Sequence, residues 1–332
     1  MKDFILAGDI GGTKAHFILT SLDGDPRQPI HEARLSTVGS QSCEELIGQF
    51  LNKINVVPRW IGLGIPGPVI KGRVKPTNLA WEADQQAVAA FCGAHQAIFV
   101  NDLVATTLGV PFLRDDEQLI LAPGETDEGP VAVIAPGTGL GEAFLLRRGQ
   151  HWEAHASEAG HGDFAPRGSR QRDIHAFLEQ ELGQVSLENV ASGLGIPLLW
   201  KALGKTSEHL QDDFQTEESI RTAVDPTPLI MAAALNPTLN PRSSAVAETL
   251  ALILAQEAGN AALRLLATGG VVLAGGVTPR IIPWLKNPAV ITAYRKNQAL
   301  GGFLSQISLR ASLNSGIAVL GAWAAAKNLS LI

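Results

Sequence analysis

Short apolar runs bounded by glycine or proline recur along the chain, at residues 4–7, 15–19, 60–65, 97–100, 131–135, 143–146 and 271–274. Their length and punctuation predict strands. Between several of them apolar residues return at helical spacing, over 43–54 and 83–95 for example. The longest helical stretch runs from about 245 to 267 through Val246, Leu250, Ile253, Leu254, Ala258 and Leu265. Thr268-Gly269-Gly270 ends it ahead of the run Val271–Ala274. Strand and helix periods mixed in this way predict α/β layers, not an all-α or all-β chain. Residues 204–243 are more polar and carry Pro226, Pro228, Pro237 and Pro241, which predicts surface helices and loops.

The first run leads directly into Gly8-Asp9-Ile10-Gly11-Gly12-Thr13, and a second run, Ala15–Leu19, follows. The pattern reads as strand, tight glycine turn, strand, with an aspartate near the end of the first strand. Paired glycines let backbone N–H groups converge on an anion, and an acid beside such a cradle can hold Mg²⁺ through water. An ordinary hairpin with a Gly-Gly turn fits the six residues equally well. No Walker A loop occurs, and Gly62-Leu63-Gly64-Ile65-Pro66-Gly67, although it fits GxGxxG, is discounted because Pro66 and Pro68 open no phosphate-binding helix.

The chain's 332 residues suit two cores better than one. Its 45% apolar content is ordinary, and with only 5% aromatic residues the core rests on Leu, Val, Ile and Ala. A net charge of −6 without any Lys/Arg run argues against nucleic-acid binding. Cys43 and Cys92 are the only cysteines, which suggests a reducing compartment and excludes a cysteine-rich zinc site. No apolar run reaches the ~18 residues that would span a bilayer, and the first residues do not read as a secretory signal. A soluble, cytoplasmic protein without membrane partners is expected.

Several polar islands punctuate this frame. Asn101-Asp102 follows the run 97–100, where an aspartate at a strand's carboxyl end faces the ligand crevice of an α/β sheet, although an N-cap role suits it as well. Ser157-Glu158-Ala159-Gly160-His161-Gly162-Asp163-Phe164-Ala165-Pro166 packs acids and an imidazole into a glycine-rich stretch suited to vicinal hydroxyls. His151, His155, His161 and Asp163 would suit a metal only if 151–155 were helical, so sugar contact ranks above metal ligation. Thr77-Asn78-Leu79-Ala80-Trp81 is a third island, and Glu188 in 186–195 a fourth, readable also as a first-turn helix acid.

Taken in order, Gly8–Thr13, Gly137-Thr138-Gly139-Leu140-Gly141 and Ala274-Gly275-Gly276 each follow an apolar strand. Three spaced turns of this type resemble the actin–hexokinase–chaperone ATPase superfold. The full series GDIGGT, TNxxW, ND, GTGLG, SEAGHGDFAP, LExxxSGxG and LAGGVTPR resembles the bacterial glucokinase family from about residue 5 to Gly321. The resemblance implies a two-domain actin-like ATPase (ribonuclease H-like) fold with an interdomain cleft. It implies a smaller α/β domain over 1–105, completed by a C-terminal helix within 312–332, and a larger one over 106–311.

It also implies ATP-dependent phosphorylation of D-glucose to glucose 6-phosphate, at the head of glycolysis. Asp102 would be the base. Asn78, Asn101, Glu158, His161 and Glu188 would join it around the sugar. Gly8, Gly11, Gly12, Thr13, Gly137 and Thr138 would face the phosphates, Gly275 and Gly276 the adenosine, and Asp9 would hold Mg²⁺ through water. A homodimer is implied as well.

Three positions depart from the family's pattern: Ala159 where glycine is common, Asn189 where arginine often follows the glutamate, and Glu142 where a small or apolar residue is expected. The zinc motif of the related repressor-and-kinase sugar family is missing. Alternatives are a same-fold kinase for another hexose and an actin- or chaperone-like ATPase switch. A sugar-sensing regulator would need a helix-turn-helix ahead of Gly8, where little room is expected.

Overall fold

The computed structural model describes residues 3–52, 54–125, 127–149, 151–207 and 209–329. The chain divides into two compact units. Unit 1 comprises Met1–Glu117, Leu145–His155 and Asn314–Ile332, and unit 2 comprises Gln118–Phe144 and Ala156–Leu313.

Unit 1 opens with strands β1 (Phe4–Ile10), β2 (Lys14–Ser21) and β3 (His31–Ser36), followed by helix α1 (Cys43–Leu51) and β4 (Trp60–Ile65). Three two-residue strands, β5 (Val69–Ile70), β6 (Arg73–Val74) and β7 (Ala83–Asp84), form a small sheet of their own. Helix α2 (Gln85–Cys92), β8 (Gln96–Asn101) and α3 (Asp102–Gly109) follow, and the C-terminal helix spans Ile317–Leu329. The last three residues of the segment expected to form that helix lie outside the described residues. The main sheet has the order β3-β2-β1-β4-β8; β2 runs antiparallel to β1, whereas β4 and β8 continue in parallel.

The sheet is covered on both faces, which is why β1 reads as a continuous apolar run. Leu6 and Ile10 pack with Phe17, Leu46 and Phe50 on one side. Their neighbours Ile5 and Ala7 pack with Val319, Ala322 and Trp323 of the C-terminal helix on the other. The helical spacing over 83–95 resolves into a shorter helix for local reasons. The Asp84 side chain accepts the N–H groups of Gln86 and Ala87 at the start, and Gly93 closes the end with φ +64°. The glycines of the discounted GxGxxG run serve packing: a Cβ on Gly62 would fall 2.0 Å from the Ala322 carbonyl oxygen.

Unit 2 is built on β9 (Gln118–Ala122), β10 (Val131–Pro136), β11 (Leu140–Arg148) and β12 (His151–Ser157), with the tip of the β11–β12 hairpin grouping with unit 1. Helices α4 (Gly168–Leu182), α5 (Glu188–Ala191), α6 (Gly195–Thr206), α7 (Phe214–Thr222), α8 (Thr227–Ala233) and α9 (Pro241–Leu265) come next. The unit then runs through β13 (Val271–Leu273), α10 (Ile282–Leu285), α11 (Pro288–Arg295), α12 (Gly301–Gln306) and β14 (Leu309–Ser312). The sheet order is β12-β11-β10-β13-β14-β9, with β10, β13 and β14 mutually parallel. Buried α9 supplies much of the core through Val246, Leu250, Ile253, Leu254 and Ala258.

The 204–243 segment is not wholly superficial. Asp212, Asn240, Arg242 and Ser243 are buried, and Asp212 accepts the N–H groups of Arg242 and Ser243 at 2.9 and 3.0 Å and the indole of Trp200 at 2.9 Å. Among the described residues, no helix is long and apolar enough to cross a membrane.

Candidate active site

The residues singled out from the sequence form two groups, one in each unit. In unit 1, the parallel register sets Asp9 of β1 beside Gly64 of β4, and Ile65 beside Asn101 of β8. Three neighbouring strands therefore deliver Asp9, the bend after Ile65 and Asn101 to one edge, the carboxyl edge where α/β sheets bind ligands. Gly11–Thr13 is the turn between β1 and β2, closed by the Gly11 N–H donating to the Lys14 carbonyl at 2.8 Å. A Cβ on Gly12 would stand 3.0 Å from that of Asn78, so the turn and the TNLAW island adjoin.

Asn101 and Asp102 carry the cap reading and the site reading together. Asn101 is the N-cap of α3, and its Oδ1 accepts the Leu103 N–H at 3.0 Å while its amide donates to the Gly67 carbonyl at 3.1 Å. Asp102 begins the helix; its Oδ1 also accepts from Leu103 N–H, at 2.9 Å, and its carboxyl stays open to solvent on one side. Surrounding protein nevertheless raises the Asp102 pKa through desolvation, against the lowering by Leu103 N–H and Asn101. Asp9 is pushed up to about 6, chiefly by burial and then by the negative charge of Asp102.

Gly8 lies buried within β1, directly before Asp9, where a Cβ would meet the Phe17 ring at 2.5 Å and Leu63 at 2.9 Å, so packing there requires a glycine.

No local motif marks the groups that hold the turn. Buried Thr37 donates its hydroxyl to the Gly11 carbonyl at 3.0 Å and its N–H to that of Thr13 at 3.1 Å. Ser40 accepts the Trp81 indole N–H at 3.1 Å and donates to the Thr37 carbonyl at 2.8 Å, linking the turn to the island of Asn78. A cavity of about 360 Å³ lined by Gly12, Thr37, Ser40, Gln41 and Asn78 opens here. A larger one, about 590 Å³, lies beside Lys71, Arg73, Glu82 and Asp84 and holds none of the singled-out residues.

In unit 2, Gly137 and Gly275 follow the carboxyl ends of the paired parallel strands β10 and β13. Gly275 takes φ +75°, and a Cβ there would lie 2.6 Å from the Pro136 carbonyl oxygen. Gly276 faces open space. The Gly137 and Thr138 carbonyls accept from Gly193 N–H at 2.8 Å and Leu194 N–H at 3.0 Å, which fixes the GTGLG turn on the SGLG segment.

His161 stands between two acids: its Nε2 is 3.7 Å from Glu158 Oε2 and its Nδ1 is 3.9 Å from Glu188 Oε1. Both separations exceed a hydrogen bond, so the three groups converge with their donors and acceptors available to a polyhydroxyl ligand. Glu158 and His161 are exposed. Glu188 heads α5, and its Oε2 also accepts the Leu140 N–H at 2.8 Å, which ties the sugar-side acid to the glycine turn. Asn189 is occupied locally, its Oδ1 accepting both the N–H and the hydroxyl of Ser186 at 2.9 Å.

The metal alternative lacks its helix, because His151 and His155 lie on strand β12. Among the described residues no group of three or more His, Cys, Asp or Glu side chains has metal-binding geometry.

The glucokinase family model matches residues 6–329. A glucokinase of Nostoc punctiforme is 31% identical over 338 residues, covering 96% of this chain and 97% of its own. A glucokinase structure from an Antarctic psychrotroph superposes with a TM-score of 0.86 at 25% identity, over 99% of this chain and all of that one. A ROK-family glucokinase from Streptomyces griseus, solved with glucose and AMPPNP, shares the fold at 17% identity and a TM-score of 0.64, over 98% of this chain and 99% of its own. The chain belongs to the glucokinase family.

Proposed function

We propose that this protein transfers the γ-phosphoryl group of ATP to the 6-hydroxyl of D-glucose. The observation that carries this is the convergence, within family-wide similarity, of Asp9, Asp102, Asn101 and the Gly11–Thr13 turn in unit 1 and of Glu158, His161 and Glu188 beside the GTGLG turn in unit 2. Glucose and AMPPNP bound to the Streptomyces griseus relative support the substrate pair.

In this mechanism Asn78, Asn101, Glu158, His161 and Glu188 hold sugar hydroxyls and so fix the acceptor oxygen. The Gly11–Thr13 and Gly137–Thr138 turns cradle phosphates through the backbone N–H groups of Gly12, Thr13 and Thr138, while those of Gly11 and Gly137 close the turns onto the Lys14 and Gly139 carbonyls. Gly275 and Gly276 leave room for the adenosine. Asp102 orients the 6-hydroxyl and accepts its proton as the oxygen–phosphorus bond forms and ADP departs. Positioning supplies most of the acceleration.

A single carboxylate suffices for an ion that keeps its waters and takes the rest of its ligands from phosphate, and Asp9 fits that donor set. Bound there, Mg²⁺ neutralises charge on the phosphate oxygens. A ¹³C NMR titration of Asp9 should show an apparent pKa of about 6 in the free protein. Mg²⁺ with ADP should lower it, because a nearby cation favours the carboxylate. A value unmoved by Mg²⁺-ADP would remove Asp9 from the metal site.

Two free, buried cysteines support a cytoplasmic, reducing location, and the family resemblance supports a homodimer. The test of function is ADP release with Mg²⁺-ATP across glucose, mannose, fructose, galactose and N-acetylglucosamine. Stimulation by glucose above the others is expected. Stimulation by another hexose would move the specificity, and turnover indifferent to every sugar would point to an ATPase switch.

A further inference from the structure

Glu142 is the departure for which the family pattern offers no reason, and its surroundings supply one. It lies on β11 directly after the GTGLG turn, buried, against Glu257 and Arg264 of α9. Arg264 Nη2 donates to Glu142 Oε2 at 3.1 Å and to Glu257 Oε1 as well. Both carboxylic side chains are only 7% exposed, whereas Arg264 is 52% exposed and reaches in from solvent.

The remaining oxygen, Glu142 Oε1, is buried with no hydrogen-bond partner among the described residues. The carboxyl beside that of Glu142, held on the same Arg264 nitrogen, is that of Glu257. Two carboxylates are both acceptors; they hydrogen-bond only if one of them carries a proton.

The same pair holds both ends of the sugar-side segment. At one end Ser157 donates its hydroxyl to the Glu142 carbonyl at 3.0 Å and receives the Ala159 N–H at 3.4 Å. At the other, Arg167 donates to Asn260 Oδ1 at 3.0 Å, which turns the Asn260 amide to donate to Glu257 Oε2 at 3.0 Å. Residues 157–167, with Glu158 and His161 among them, are thus anchored at one end to the backbone carbonyl of Glu142 on β11 and at the other, through Asn260, to the carboxyl of Glu257 on α9.

We propose that Glu142 and Glu257 hold a single proton between them beneath Arg264, and that this protonated pair positions the 157–167 segment for sugar binding. With the proton, the three groups sum to zero charge; without it, they carry one uncompensated negative charge in a dry site. The charged groups that act on the Glu142 carboxyl are Glu257 and Arg264, both from α9, and from β12 the neutral Ser157 hydroxyl bonds the Glu142 backbone carbonyl. Burial raises the Glu142 pKa, the Glu257 charge raises it further, and Arg264 opposes both. As pH rises the proton leaves for solvent, β11 and α9 repel, and the two anchors loosen.

The inference rests on the kinase reading for its kinetic arm alone. The glucose KM of the wild-type protein should climb on the alkaline side by up to about tenfold per pH unit, the limit for one titrating proton, while kcat holds. Glu142→Gln keeps a permanent donor toward Glu257, so its KM profile should be flat; Glu257→Gln tests the same point from α9.

Melting temperature supplies an arm independent of activity. An acid whose folded pKa is raised contributes stability that is lost as pH rises from its unfolded value through its folded one. Wild type should therefore lose stability relative to Glu142→Gln across that window. A flat wild-type KM profile, Gln variants that follow the wild-type rise, or a melting gap independent of pH would each overturn the proposal. Absence of sugar-stimulated turnover at every pH would instead fail the kinase reading, and the melting curves alone would then decide whether the proton is shared.

Discussion

Asp102→Asn should lower kcat by about 10²–10⁴ while leaving the glucose KM within a few-fold of wild type, the loss typical of a removed general base. Asparagine suits the test because its Oδ1 still accepts the Leu103 N–H that Asp102 accepts at 2.9 Å, so α3 starts as before. Only the capacity to take a proton is removed. The pH profile separates this role from a structural one. Desolvation raises the Asp102 pKa, and a base must be ionised to act, so wild-type kcat/KM should fall as pH drops through a value above the ordinary carboxylate range. In Asp102→Asn the residual rate should lose the limb due to this group. A variant with near-normal kcat, or one whose loss lies wholly in KM, would take the base assignment away from Asp102.

What sequence could show of this site depended on distance along the chain. The turns at Gly11–Thr13, Gly137–Gly141 and Gly275–Gly276 are local events, written by glycine and a preceding apolar run, and all three follow strands in the structure. Strand β3 has no such signature, because its residues alternate between half-buried and exposed, and His31, Glu32 and Arg34 leave no apolar run to read. Helix α9 begins at Pro241 and not near 245, since the acceptor for its first N–H groups is Asp212, about 30 residues away. No window around the helix contains that cap.

Glu188 shows the same limit within the site. Its position marks it as an acid of interest, but its bond to Leu140 N–H across 48 residues appears only once the chain is folded. Glu142 is the reverse case: its oddness is visible in sequence, and only the pairing with Glu257 and Arg264 gives it meaning.

Gly321→Ala should destabilise unit 1 by about 3 kcal/mol, the upper part of the range for forcing atoms into a packed interface. A Cβ at 321 would stand 1.7 Å from the Ala105 carbonyl oxygen and 2.7 Å from the Gly109 backbone nitrogen. Both are backbone atoms of α3, so no rotamer change relieves the overlap. The contact is reciprocal: a Cβ on Gly109 would fall 2.1 Å from the Ile317 carbonyl oxygen, so the two helices meet backbone to backbone at both positions. One of them must therefore move, and α3 carries Asn101 at its N-cap and Asp102 in its first turn. The variant should lose kcat as well as stability, since small misplacements of a reacting group cost rate steeply. Gly302→Ala is the matching control: nothing lies within 4 Å of its Cβ position in α12, and a helical alanine should be neutral or stabilising by up to about 1 kcal/mol. Urea unfolding followed by the fluorescence of buried Trp60 and Trp323 reads the first effect, and turnover at saturating glucose reads the second. A Gly321→Ala protein within about 0.5 kcal/mol of wild type, the ordinary scatter of a neutral surface change, would mean that the C-terminal helix can shift freely against α3 and does not hold Asp102 in place.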